Sequence, residues 1–189
     1  MSPEPGGVTR REDSSGPLSF GHVISAQDLV EQVATIHHWT GHVSTLVEDS
    51  HLQWRPRDGA LTTGELLLHI ANGRLETLDT ITFRTERDRG HRLRKRESAA
   101  RLREVLLRTS ERTLAYLGGA DLDGHVTNFY GASVPRWRFV MNRLVEHEIH
   151  HRGQLSAYLW MLGTEPPPLF GVYVRELPES RPNAVPALD

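Results

Sequence analysis

The chain contains no cysteine among its 189 residues. This absence excludes disulfide bonds, thiolate zinc sites, iron–sulfur clusters and a cysteine nucleophile. Any thiol chemistry would therefore need a thiol that arrives as a substrate. The chain also lacks an apolar run as long as a membrane span, and its N-terminus lacks the charged-then-apolar order of a signal peptide. We therefore expect a cytoplasmic protein with no membrane partner.

Positive and negative side chains are nearly balanced. Lysine and arginine number 22 against 24 aspartate and glutamate, so the net charge of -2 gives no electrostatic reason to expect nucleic acid. A basic stretch at 87–96 is interpreted as a solvated loop, with a phosphate or anionic-partner contact as the alternative. Residues 1–21 and 178–189 are rich in proline and charge, which predicts flexible tails around one domain at 22–177.

Four helical patterns lie between the predicted tails. They span about 26–48, 62–85, 97–117 and 135–163. Thr62 and Glu65 have the spacing of a capping box at the start of the second helix. Strand signals are limited to 126–130 and 172–174, which could pair as a short ribbon, and the long link 118–134 could cross over one end. The sequence therefore predicts an all-α four-helix bundle, with a short ribbon or loop covering one end.

Two histidines fall on the apolar stripe of the fourth helix. His147 and His151 are one turn apart and follow the same three- and four-residue steps as Leu144 and Leu155. The sequence therefore predicts that both imidazoles occupy positions in the core of the bundle. A buried polar side chain is costly unless it has partners, so something must satisfy these rings.

A third histidine, His69, lies on the corresponding stripe of the second helix. Gly73, one turn later, leaves room for a close approach to that helix. One divalent metal ion would satisfy His69, His147 and His151 together, while hydrogen bonds or water are the alternative partners. Three neutral imidazoles leave at least one coordination position open, and they suit Zn, Ni, Fe or Co. Such an ion can lower the pKa of a bound water or thiol.

Two competing interpretations use the same residue type. Residues 147–151 spell H-E-x-x-H, the zinc-protease pattern in which Glu148 would be the general base. No histidine follows His151 to supply a third ligand, so this interpretation is disfavoured and Glu148 stays a candidate catalytic residue. A second pair, His38 and His42, points away from the stripe of the first helix and is predicted to be exposed or at a subunit contact.

Further candidates surround the predicted ligands. Gln154 lies one turn beyond His151 and on nearly the same side of the helix as His147, so it could touch a ligand or the substrate. Tyr130 and Tyr158 could line a substrate pocket or belong to the core. Arg152 is interpreted as a structural residue that forms a salt bridge with Glu148 at i−4.

Two segments carry a resemblance to a known family. Residues 147–155, with Tyr158-Leu159 and Leu162-Gly163 after them, resemble the last core helix of the DinB-like superfamily. Residues 65–70 resemble its second helix, and the similarity extends over about 26–171. The resemblance implies an up-up-down-down four-helix bundle, a homodimer, and His69, His147 and His151 as metal ligands.

The same resemblance suggests a reaction class. Relatives include transferases and isomerases that use low-molecular-weight thiols, which implies a metal-dependent, thiol-dependent S-transferase acting on a small-molecule substrate. One alternative is a non-catalytic metal-binding protein that acts in a stress response or binds a ligand. The other is a metal-dependent hydrolase.

Overall fold

A computed structural model of the chain describes residues 25–83, 90, 97–128 and 130–168. The predicted tails, the basic stretch at 87–96 apart from Gly90, and the possible strand at 172–174 lie outside the described residues. Within the described ranges, no helix is both long enough and apolar enough to cross a membrane.

Four helices form the bundle, as the sequence predicted. Three are continuous, namely α1 (Ala26–Ser44), α2 (Thr63–Phe83) and α3 (Ala99–Leu117). The composite fourth helix consists of α4 (Arg136–Val140), a π-helical turn (Met141–Glu146) and α5 (His147–Met161). The residues at its two junctions all have right-handed helical backbone angles, so the three pieces form one rod.

Side-chain caps set the points at which the first helices begin. The hydroxyl of Thr62 accepts a hydrogen bond from the amide of Glu65 at 3.2 Å, and the Glu65 carboxylate accepts one from the amide of Thr62 at 2.9 Å. This is the predicted capping box, and Ser25 and Asp28 form the same arrangement at α1. The caps satisfy first-turn amides that have no partner within the helix.

Helix directions follow from which ends pack together. One core cluster joins the C-terminal part of α1 to the N-terminal parts of α2 and α3 and to the end of α5, through residues such as Val47, Leu66, Leu102 and Leu159. The second cluster joins the opposite ends of the same helices. The first and fourth helices therefore run one way and α2 and α3 the other, which is an up-down-down-up order.

This order corrects the up-up-down-down topology that the resemblance implied, while the all-α four-helix bundle is confirmed. Both α1 and α2 pack against α3 and against the composite fourth helix, so α1 and α2 occupy diagonal corners. The helices α2 and α3 are therefore parallel neighbours.

A β-hairpin covers one end of the bundle. Strand β1 (His125–Thr127) pairs antiparallel with β2 (Ser133–Pro135), and Val126 lies opposite Val134. The short ribbon predicted near 126 is therefore present, but its partner in the described chain is the neighbouring segment 133–135. Val126 is buried in the second core cluster, so the hairpin closes the end at which α3 stops and α4 starts.

The buried stripe of the composite fourth helix differs from the predicted one. Glu148 and Arg152 are buried together with Leu144 and Leu155, whereas the two predicted core histidines are only half-buried. His147 and His151 are thus not in the centre of the core; they lie on the flank of the stripe that faces α2. The π-helical turn immediately before His147 is of a kind often found at functional sites.

Candidate metal centre

Three imidazoles converge between α2 and α5. The Nε2 atom of His69 lies 3.1 Å from Nε2 of His147 and 3.0 Å from Nε2 of His151. Across the described parts of the chain, this is the one group of three or more His, Asp or Glu side chains whose ligand atoms all lie within 4.8 Å of one another. These are the three residues that the sequence predicted as ligands, and each is half-buried.

The spacing of the three nitrogens suits a single metal ion. Ligands at about 2.0–2.1 Å from a zinc-sized ion, separated by angles of about 90–110°, lie about 2.9–3.4 Å from each other. A hydrogen on Nε2 of His69 could serve only one of its two neighbours, whereas an ion accepts all three lone pairs at once. The donor set and its geometry therefore fit a divalent ion bound by three imidazoles.

Electrostatics keeps two of these rings neutral. Burial, together with the nearby His151, Arg143 and His69, lowers the pKa of His147 to about 3. Burial also lowers the pKa of His151, although its hydrogen bond to Gln154 opposes the shift. Neutral imidazoles are the form that binds metals, so His147 and His151 are in the ligand-competent state at physiological pH.

Gly73 allows His147 to lie close against α2. A Cβ atom at position 73 would lie 2.9 Å from Cε1 and 3.3 Å from Nδ1 of the His147 ring. The first distance is too short for any real contact, so a side chain there would push the imidazole away. The close approach that the sequence predicted at Gly73 is confirmed, and the group that approaches is the ring of His147.

Replacing Gly73 with alanine is expected to weaken metal binding by about 10–100-fold, a loss typical of a misplaced ligand. In an ordinary helix interior, glycine to alanine stabilises by about 0.5–1 kcal/mol. Here the added methyl group displaces His147, so the usual gain is offset. Isothermal titration with Zn²⁺ and thermal unfolding of the metal-free variant measure the two effects.

Gly41 provides the matched control for this substitution. It is also a helical glycine, but a Cβ atom added there meets nothing within 4 Å. Gly41→Ala should raise the melting temperature and leave the affinity for Zn²⁺ unchanged. Equal affinities for Gly73→Ala and wild type would contradict the close approach.

A buried ion pair joins the two helices that carry the three histidines. Arg74, on α2, donates from Nε to Oε2 of Glu148 at 2.9 Å and from Nη2 to Oε1 at 2.6 Å. The same guanidinium donates to the carbonyl oxygen of Leu106 on α3 at 2.6 Å. Glu148 is 1% exposed and Arg74 is 2% exposed. Such a two-pronged contact fixes both the distance and the rotation of α5 relative to α2.

His37, on α1, completes the surroundings of Glu148. Its Nε2 atom lies 3.4 Å from the carboxylate, and its Nδ1 atom is 2.9 Å from the hydroxyl of Ser110 on α3. Burial and the charge of Arg74 lower the pKa of His37 to about 4, although Glu148 opposes the shift. Arg74 also holds the pKa of Glu148 below its usual value against the effect of burial. The carboxylate is therefore ionised and surrounded by protein groups.

Sequence reasoning missed Arg74 and His37 and assigned Glu148 a different partner. The predicted Glu148–Arg152 salt bridge is not among the ion pairs of the described residues; Arg152 instead donates to the carbonyl oxygen of Ile36. One signal could have revealed Arg74. It follows Ile70 by four residues on the buried stripe of α2, in the same way that His151 follows His147.

A family comparison agrees with this architecture. The model of the DinB family matches residues 26–181. The chain belongs to the DinB family. No curated protein matches it significantly.

Solved structures of DinB-like proteins have the same fold. A DinB-like protein of Bacillus cereus is 21% identical, with a TM-score of 0.66 over 78% of this chain and 97% of its own. The DinB-like protein YjoA of Bacillus subtilis is 21% identical, with a TM-score of 0.60 over 75% and 96%. YfiT of Bacillus subtilis, described as a probable metal-dependent hydrolase with an unusual four-helix bundle topology, is 16% identical, with a TM-score of 0.61 over 75% and 91%.

The other predicted site residues of this DinB-family chain lie in three different environments. Gln154 contacts a predicted ligand, because its Oε1 atom lies 2.8 Å from Nδ1 of His151. Tyr158 is a core residue whose hydroxyl donates to the carbonyl oxygen of Leu61 and whose ring packs edge-on against Trp54. Tyr130 is 93% exposed at the turn of the hairpin.

Two surface cavities lie apart from the three histidines. Tyr130 and Trp137 line one of about 420 Å³ beside the hairpin. His38 and His42, both exposed as predicted, line another of about 540 Å³ between α1 and α3. None of the three clustered histidines lines either cavity.

Proposed function

We propose that the chain is a metal-dependent enzyme in which His69, His147 and His151 hold one divalent ion. The observation that supports this most directly is that the Nε2 atoms of His147 and His151 lie 3.1 and 3.0 Å from Nε2 of His69, on a half-buried flank of the bundle. Three protein ligands leave room for a substrate at the ion, which is the pattern of catalytic rather than structural zinc sites. An ion held there would supply Lewis acidity that lowers the pKa of an incoming thiol or water.

The preferred reaction is transfer of a small thiol to an electrophilic substrate. Across the described residues, no carboxylate joins the three histidines, and Glu148, which directly follows His147, is held by Arg74. We infer that Glu148 positions α5 and does not act as a general base. A thiol is acidic enough to need no separate base once its pKa is lowered, and this chain has no cysteine that could compete with it.

Hydrolysis is the second candidate, and the likeness to YfiT favours it. Water has a much higher pKa than a thiol, so a hydrolase depends more strongly on the ion or on a base. A non-catalytic metal-binding protein is the third possibility. A homodimer, a cytoplasmic location and the identity of the metal remain predictions.

The test is turnover by protein reconstituted separately with Zn²⁺, Ni²⁺, Fe²⁺ and Co²⁺. Each form is given glutathione, mycothiol or bacillithiol with a panel of alkyl and epoxide electrophiles, and, separately, ester and amide substrates without thiol. We expect thiol-dependent turnover that a chelator abolishes and the metal restores. Metal-dependent turnover without thiol would establish the hydrolase instead. Tight metal binding with no turnover on any substrate would contradict an enzyme of either class.

A further inference from the structure

Gln154 bridges two histidines of α5. Its Oε1 atom lies 2.8 Å from Nδ1 of His151, and its Nε2 atom lies 3.1 Å from Nε2 of His150. Gln154 is half-buried, while His150 is exposed. The side chain therefore connects a predicted metal ligand with a histidine at the surface.

The two ends of an amide make opposite demands on an imidazole. The carbonyl oxygen only accepts hydrogen bonds, so a ring nitrogen facing it must carry a hydrogen. Because a neutral imidazole carries one hydrogen, Nε2 of His151 is then left with a lone pair. The amide nitrogen only donates, so Nε2 of His150 must accept.

This pattern matches the needs of a metal site. Nε2 of His151 is the atom that faces His69, at 3.0 Å. With the amide reversed, the hydrogen would move to that nitrogen and point at the place where an ion would lie. Metal-bound histidines generally donate their other ring hydrogen to an acceptor, which fixes the tautomer and the ring orientation.

We propose that Gln154 is a positioning residue that holds His151 in the Nδ1-protonated tautomer, with its Nε2 lone pair directed at His69 and His147. The proposal rests on the proposed metal function and gives Gln154 a role other than contact with substrate. Gln154 acts through His151, and His150 keeps the amide in the required orientation by accepting from its nitrogen.

The primary test is the tautomer of His151 in the metal-free protein. Long-range ¹H–¹⁵N spectra of labelled protein should show the hydrogen on Nδ1 in wild type. In Gln154→Leu the acceptor is gone, so the signal should move toward the Nε2-protonated form, which free neutral histidine prefers. The affinity for Zn²⁺ should fall by about 10–100-fold in the same variant, as for other residues that support a ligand.

Rescue and controls separate positioning from packing. Gln154→Glu keeps an acceptor for Nδ1, so it should retain the wild-type tautomer and affinity. Gln32→Leu, the same exchange at an exposed position of α1, should change neither. His150→Ala should lower the affinity far less than Gln154→Leu.

Two results would overturn the proposal. One is a wild-type His151 that carries its hydrogen on Nε2; the other is a Gln154→Leu variant with wild-type tautomer and affinity. Failure of the metal function looks different. In that case wild type binds none of Zn²⁺, Ni²⁺, Fe²⁺ or Co²⁺, while the tautomer still shifts between wild type and Gln154→Leu.

Discussion

Replacing Glu148 with alanine is expected to destabilise the metal-free bundle by about 3–5 kcal/mol. The reason is that Arg74, 2% exposed, would keep its charge in the core without a counter-charge. The free energy of unfolding of a typical domain is only about 5–15 kcal/mol, so this change removes a large part of the stability. Urea unfolding in the presence of a chelator measures it, because the chelator removes any contribution from bound metal.

Glu104 is the matched control for this change. It also forms ion pairs with arginine, namely Arg101 and Arg108, but on the surface of α3 where solvent screens them. Glu104→Ala should therefore cost far less stability than Glu148→Ala. If the two alanine variants lose the same stability, the buried pair does not hold the bundle as argued. Replacing both Arg74 and Glu148 with leucine should recover much of the loss, since no charge is then left unpaired.

Glu148→Gln distinguishes this role from that of a general base. A positioning carboxylate makes contacts that glutamine reproduces only in part, so stability and metal affinity should fall together. A catalytic base would instead give a stable variant with normal metal affinity and no turnover. That second outcome would give Glu148 the role of general base that the glutamate of the H-E-x-x-H motif has in zinc proteases.

The sequence could single out the three clustered histidines because helical periodicity carries that information. His69, His147 and His151 stand at positions where three- and four-residue steps place them on inward-facing sides. Arg74 and Glu148 also follow buried aliphatic residues by four positions, yet charged residues are normally assigned to the surface. Their burial depends on the pairing of two residues on different helices, and no local pattern records such a pairing. A charged residue in register with buried aliphatics is therefore itself a sign of a cross-helix partner.

Helix directions were out of reach for a related reason. The caps at Ser25 and Thr62 depend on neighbours in sequence, so they were predictable. Whether α3 runs parallel or antiparallel to α2 depends on which helix ends pack together. Leu66 and Leu102, each near the start of its helix, belong to the same core cluster. Since the connection 84–98 is long enough for either course, its length does not decide between them.

The second large effect concerns the ligands themselves. We expect His69→Ala, His147→Ala and His151→Ala each to lower the affinity for Zn²⁺ by more than the roughly 10–100-fold cost of a residue that only supports a ligand. Three ligands are the fewest found in catalytic zinc sites, so the loss of one leaves two protein nitrogens to hold the ion. Calorimetric titration of each variant measures the affinity directly.

Thermal unfolding provides an independent measure of the same binding. At a free Zn²⁺ concentration 100 times the dissociation constant, the ion stabilises the folded wild-type protein by about 2.7 kcal/mol. For a chain of this size that corresponds to a rise of about 5–10 °C in melting temperature. Each of the three alanine variants should show almost no rise at the same concentration. Their metal-free melting temperatures separate this loss of binding from a loss of folding.

His150 and His42 are the controls that make the result specific to geometry. His150 adjoins His151 and His42 forms an i,i+4 pair with His38, but both are exposed and neither belongs to the three-histidine group. His42→Ala should keep the full metal-induced rise in melting temperature, and His150→Ala should keep most of it. If His42→Ala removes the rise while His151→Ala leaves it intact, the ion binds on α1 and not between α2 and α5. Loss of the rise in the three clustered variants alone would place the ion where their Nε2 atoms meet.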